Sequence, residues 1–88
     1  MPTIVGYHDI SKGQDHWLRS PKRQELFGAL GVTNIRTFVD PQTPKRVALV
    51  MDVPDMDALN AVMQSPAAAE AMAHDGVVPE SLVILVEA

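Results

Sequence analysis

Apolar residues recur along the chain in two alternating periods, and their succession orders the elements. Thr3 to Ile10 (T-I-V-G-Y-H-D-I) is rich in β-branched and aromatic types and runs into the turn formers Ser11-Lys12-Gly13, which predicts a first strand. Asp15 to Arg19 fits a short helical turn. Ser20-Pro21 then predicts a helix start: serine can cap free amides, and proline at the first helical position lacks only a donor that would be unpaired anyway. Leu26, Phe27 and Leu30 carry this helix to a stop at Gly31. Asn34 to Val39 and Val47 to Val53 predict strands two and three, joined by the proline-containing loop Asp40 to Lys45 as antiparallel neighbours. Pro54-Asp55 opens a second helix with Met56, Leu59, Val62 and Met63 on one face. Ser65-Pro66 starts a further helical piece through Met72, ending at Asp75-Gly76, and Ser81 to Glu87 is the last strand.

The order β, α, β, β, α, β predicts an α+β domain of the ferredoxin-like kind, a four-stranded antiparallel sheet with helices on one face. A sheet wetted on one side should alternate apolar and polar residues. These strands barely alternate: Val47, Leu49 and Met51 form one face of strand three, and Ala48, Val50 and Asp52 the other. Leu82, Ile84 and Val86 against Val83 and Leu85 repeat the pattern. Helices cover one face only, so the other must meet apolar surface or remain as an exposed patch, and a second copy of the sheet about a two-fold axis is the economical solution. A homodimer through the sheet face is therefore expected.

Composition narrows the picture. The 88 residues make one domain, 1–88, with 47 % hydrophobic and 20 % charged residues, a globular composition. Such a chain buries only about 60 to 65 % of its unfolded surface, which also favours a partner. A net charge of −4 repels phosphate backbones and anionic headgroups, so nucleic acid and membrane surfaces are not expected partners. The basic run Arg19-Ser-Pro-Lys22-Arg23 reads as a solvated helix end, or at most a local anion site. Without cysteine there is no disulfide, thiolate ligand or thiol nucleophile. Met1-Pro-Thr-Ile-Val leads straight into a strand and no window reaches membrane-span length, so cytoplasmic residence is expected.

Element order, length, two-sided strands and the segment S-P-A-A-A-E-A-M (Ser65 to Met72) together resemble the dimeric α+β barrel superfamily, in which two ferredoxin-like protomers join their sheets. The resemblance covers the whole chain and implies a pocket between sheet and helices in each protomer. It also implies a range of activities: cofactor-independent monooxygenases acting on polycyclic quinols, polyketide cyclases, muconolactone isomerase-like enzymes, haem-binding proteins and members with no known activity. Fold alone does not choose among them.

The choice rests on polar residues aimed at the pocket. Alternation puts Ile4, Gly6, His8 and Ile10 on one face of strand one and Thr3, Val5, Tyr7 and Asp9 on the other. His8 is the first catalytic candidate, because an imidazole titrates near neutrality and can pass a proton to or from a phenol or enol; the competing reading is a hydrogen-bonded core histidine. Gly6 leaves room for a ligand beside it. Trp17 offers a flat wall for an aromatic ligand, or else plugs a gap between loop and helix. His16 stands at the pocket mouth or faces solvent. His74 joins the catalytic set if its segment passes over the pocket, and otherwise caps its helix. If Arg36 and Asp52 face the pocket, Arg36 is a catalytic candidate for holding a carboxylate or enolate oxygen and Asp52 a substrate-binding candidate that would pair with it; at the strand ends both are surface residues.

His8, His16 and His74 lack the compact spacing of a motif such as H-E-x-x-H, so neither metal nor haem is expected, and no cofactor is. No G-x-S-x-G, G-x-x-x-x-G-K or G-x-G-x-x-G motif occurs. The sequence thus predicts a cofactor-independent enzyme of monooxygenase, cyclase or isomerase type, acting on a small apolar, aromatic, polyketide-like or lactone ligand. The alternatives are a non-catalytic ligand-binding or stress-type protein and, behind it, a haem or metal binder.

Overall fold

The computed structural model describes residues 2–88. Its elements are β1 (Thr3–Asp9), α1 (Gln14–Arg19), α2 (Lys22–Gly28), β2 (Thr33–Val39), β3 (Arg46–Asp52), α3 (Met56–Met63), α4 (Pro66–Asp75) and β4 (Val83–Val86), with a 3-10 turn at Pro79–Ser81. The sheet has the order β2-β3-β1-β4 with every neighbour antiparallel, which is the ferredoxin-like arrangement.

Local chemistry explains the boundaries. The Asp55 carboxylate accepts the Ala58 N–H at 3.1 Å and the Ser65 hydroxyl accepts that of Ala68 at 3.3 Å, satisfying donors that the first turns of α3 and α4 leave free. At α2 the Ser20 hydroxyl accepts the Lys22 N–H at 3.2 Å, and Pro21 precedes the helix instead of beginning it. That helix ends at Gly28, three residues before the expected Gly31, through a turn in which the Gly31 N–H donates to the Gly28 carbonyl. Strand β4 is shorter than Ser81–Glu87 because Ser81 belongs to the 3-10 turn, where its hydroxyl donates to Val78 and accepts the Asp9 N–H. Strand β1 stops at Asp9, and Ile10 makes a lone bridge to Val77. Strand β2 begins at Thr33 and is irregular before Arg36, where Asn34 takes φ 56°.

The two faces of the sheet differ sharply. Pairing of Ile4 with Met51, Gly6 with Leu49 and His8 with Val47 defines the face under the helices. There Ile4, Leu49 and Met51 pack with Phe27, Val32, Val53 and Leu59 into the main core, each fully buried aliphatic side chain contributing about 1.5–3 kcal/mol. Ile10, Trp17 and Val47 form a second cluster beside it. The opposite face carries Val5 and Tyr7 of β1, Ala48 and Val50 of β3, Phe38 of β2, and Val83 and Leu85 of β4. It lies open, with Phe38 49 % and Leu85 53 % exposed.

Gly76 fixes the end of α4 against the loop after β1. It has φ 74°, and a Cβ there would lie 3.0 Å from the Lys12 backbone nitrogen, so only glycine fits. Its carbonyl accepts the Ser11 N–H at 2.8 Å, which draws His74 and Asp75 toward α1.

Candidate active site

Between the sheet and the helices lies a half-enclosed cavity of about 70 Å³. Its walls are mostly apolar, from Ile4, Leu26, Phe27, Leu49, Met51 and Leu59 among others. Gly6 and His8 of β1, Trp17 of α1, Arg23 of α2 and Asp75 of α4 also line it. A Cβ on Gly6 would meet nothing within 4 Å, so this bare position adds free space beside His8.

His8 is 5 % exposed. Burial pushes its pKa below the ordinary 6.5, opposed by its bond to the Asp9 carbonyl; Arg23 lowers it further, while Asp75 and Asp9 raise it. The ring is thus neutral at pH 7. Its Nδ1 lies 3.2 Å from the Asp9 carbonyl oxygen. A carbonyl only accepts, so that bond places the proton on Nδ1 and leaves the lone pair on Nε2. Trp17, 1 % exposed, meets the imidazole edge-on with ring centroids 5.8 Å apart.

Arg23 is a buried guanidinium. It lies 4.3 Å from the Trp17 ring centroid, donates through Nη2 to the Trp17 carbonyl at 2.8 Å, and faces the Asp75 carboxylate at 3.6 Å. Burial lowers its pKa and Asp75 opposes that shift. Among the described residues, Arg23 Nη1 is the one buried side-chain nitrogen or oxygen without a hydrogen-bond partner. An unsatisfied buried donor is costly unless an acceptor completes it. Asp75, 4 % exposed, faces Arg23 with one oxygen and accepts from His74 Nδ1 with the other at 2.9 Å.

The structure divides the sequence-predicted residues. Gly6, His8 and Trp17 line the cavity. His16 and His74 do not; they meet outside it, where His16 Nε2 donates to the His74 carbonyl at 2.6 Å. The expectation that His74 shares the pocket with His8 is corrected: the end of α4 turns Asp75 inward and His74 outward. Arg36 and Asp52 are corrected likewise. Arg36 pairs across the ladder with Val50 and shares its face, opposite His8. Asp52 belongs to that same outer face, where the Thr3 hydroxyl donates to it at 2.7 Å and holds its carboxyl below the usual range. Strand alternation alone separates both from the pocket.

Arg23 and Asp75 were not among the expected site residues, yet a sequence signal exists. Arg23 with Leu26, Phe27 and Leu30, and Asp75 with Ala68, Ala71 and Met72, each complete a helical stripe of inward positions. Opposite charges that each occupy an apolar stripe imply a buried pair.

No family model and no curated protein matches the chain. Solved structures do. A candidate antibiotic biosynthesis monooxygenase from Bordetella bronchiseptica superposes with a TM-score of 0.73 at 16 % identity, covering 99 % of this chain and 94 % of that one. A structure described as an antibiotic biosynthesis monooxygenase gives 0.63 at 14 % identity over 100 % and 97 % of the two chains. A conserved Bacteroides thetaiotaomicron protein of unknown function, described as a possible oxidoreductase, gives 0.53 at 11 % identity over 98 % and 92 %. The chain therefore shares with these structures the ferredoxin-like α+β fold, over nearly its full length.

Proposed function

We propose that the chain is a small-molecule enzyme of the cofactor-independent kind, in which His8 moves a proton on an enolisable carbonyl, phenol or lactone. The observation that carries this reading is the convergence on one apolar cavity of a neutral imidazole with a free Nε2 and a buried guanidinium whose Nη1 faces Asp75 Oδ2 at 3.6 Å but makes no hydrogen bond. His8 Nε2 takes the proton, the electron pair stays on the substrate as an enolate or phenolate, and Arg23 Nη1 donates to the oxygen that gains charge. Asp75 keeps the guanidinium in place, and Trp17 supplies the flat wall. The name carried by two of the similar structures, antibiotic biosynthesis monooxygenase, agrees with a pocket for small organic molecules. A cavity of about 70 Å³ favours one small ring over a polycyclic skeleton.

The alternative, a binding protein without catalysis, calls for apolar walls and a single orienting group. Four ionisable side chains at one cavity, His8, Lys22, Arg23 and Asp75, favour the enzyme. Proton exchange separates the two without knowledge of the full reaction. A panel of small cyclic ketones, lactones and phenols is incubated in deuterated buffer and C–H exchange is followed by NMR. Exchange above the buffer rate that drops by about 10²-fold or more in a folded His8→Ala variant supports the proposal. Absence of exchange across the panel, or a rate indifferent to His8, refutes it.

The homodimer is part of this proposal. The open face from Phe38 to Leu85 is continuous apolar surface on one side of the sheet, and a second copy is the self-complementary partner that covers it.

A further inference from the structure

The geometry points to a second site, on the surface beside the pocket: we propose that His16, His74 and Asp75 bind one divalent transition-metal ion of the zinc type. The two imidazoles come from α1 and from the end of α4, and fold contacts alone unite them. Their ring centroids lie 5.3 Å apart with the planes inclined by 31°. One donor atom from each histidine and one Asp75 oxygen all lie within 4.8 Å of one another. With bonds of about 2.0–2.1 Å, two ligands on one zinc stand roughly 3–3.5 Å apart. The His74 Nδ1 to Asp75 Oδ1 separation is already 2.9 Å, so a metal would replace the proton they share, and only His16 must close in.

His16 and Asp75 also have the outer support that metal ligands ordinarily show. His16 is oriented by its Nε2–H bond to the His74 carbonyl at 2.6 Å, and a metal on its Nδ1 would keep that bond. The second oxygen of Asp75 faces Arg23 at 3.6 Å. The left-handed Gly76 locks the end of α4 to the loop holding Ser11 and Lys12, which fixes the His74 and Asp75 backbone. Both histidines are exposed, so an ion can enter with water completing its coordination. Two imidazoles and one carboxylate are the borderline set that zinc, nickel and cobalt accept, and calcium or magnesium do not prefer. Lys12 Nζ, 3.4 Å from the His74 carbonyl, places one positive charge nearby and weakens the site.

The test uses Zn(II) and Co(II) as probes on the full chain, with zinc affinity read by competition against a chromophoric chelator and cobalt geometry by its visible absorption. Zinc is expected to bind at one per chain and raise the melting temperature, and cobalt to develop a d–d band. His16→Ala and His74→Ala should each lose at least about tenfold in affinity, Lys12→Gln should gain, and His8→Ala should stay at the wild-type value. Both histidine side chains are exposed, so these variants keep their fold, which circular dichroism verifies. Zinc binding absent at one per chain, unchanged in either His16→Ala or His74→Ala, or dependent on His8 overturns the site. Because the readout is metal affinity, it stands or falls separately from proton exchange at His8.

Discussion

At the scale of single residues, the pocket is a compromise between burial and charge. Arg23 and Asp75 are both about nine-tenths hidden and compensate each other, so Arg23→Met should cost about 3–5 kcal/mol by leaving a buried carboxylate unpaired, measured by urea unfolding. His8 supplies a pH signature. Its folded pKa lies below the 6.5 of the free imidazole, so between those two values the unfolded chain binds more protons. Stability from this group is complete above pH 6.5 and is lost as pH falls toward the lower folded value. Melting curves across that window should decline more steeply for wild type than for His8→Phe, the groups facing His8 being Arg23, Asp75 and Asp9. Gly6 behaves oppositely: Gly6→Ala meets no neighbour and should stabilise the strand by about 0.5–1 kcal/mol, while Gly6→Leu should fill the cavity and abolish exchange. The half of the site that is legible in the sequence is the half carried by one strand, because alternation alone groups Gly6 with His8. Arg23 and Asp75 come from different helices, and only the packed pair reveals why each charge occupies an apolar stripe.

At the scale of elements, boundaries follow capping chemistry. The devices Pro54-Asp55 and Ser65-Pro66 are legible because a cap acts within three residues, and both helices start where they predict. Asp55→Ala should lower stability by about 1 kcal/mol, seen in thermal melts, since the Ala58 N–H loses its acceptor. The last strand is misjudged because Pro79–Ser81 trades ladder bonds for a 3-10 turn tied to Asp9, a contact across most of the chain. Gly76 is the corresponding hinge point of α4. Gly76→Ala should be strongly destabilising and should separate His74 from His16, lowering zinc affinity together with the melting temperature.

At the scale of the whole molecule, the two-sided apolar strands legible in the sequence return as one packed and one open sheet face. Leu85→Lys, on the open face, should leave the monomer fold intact and shift sedimentation from dimer to monomer; a monomeric wild type would remove the dimer from the proposal. No helix among the described residues is long and apolar enough to cross a membrane. The single tryptophan is 1 % exposed and lies against the Arg23 cation at the cavity wall. Nearly all long-wavelength ultraviolet emission of the molecule thus originates at that one spot, so colour and intensity report folding and cavity occupancy together, without any attached dye.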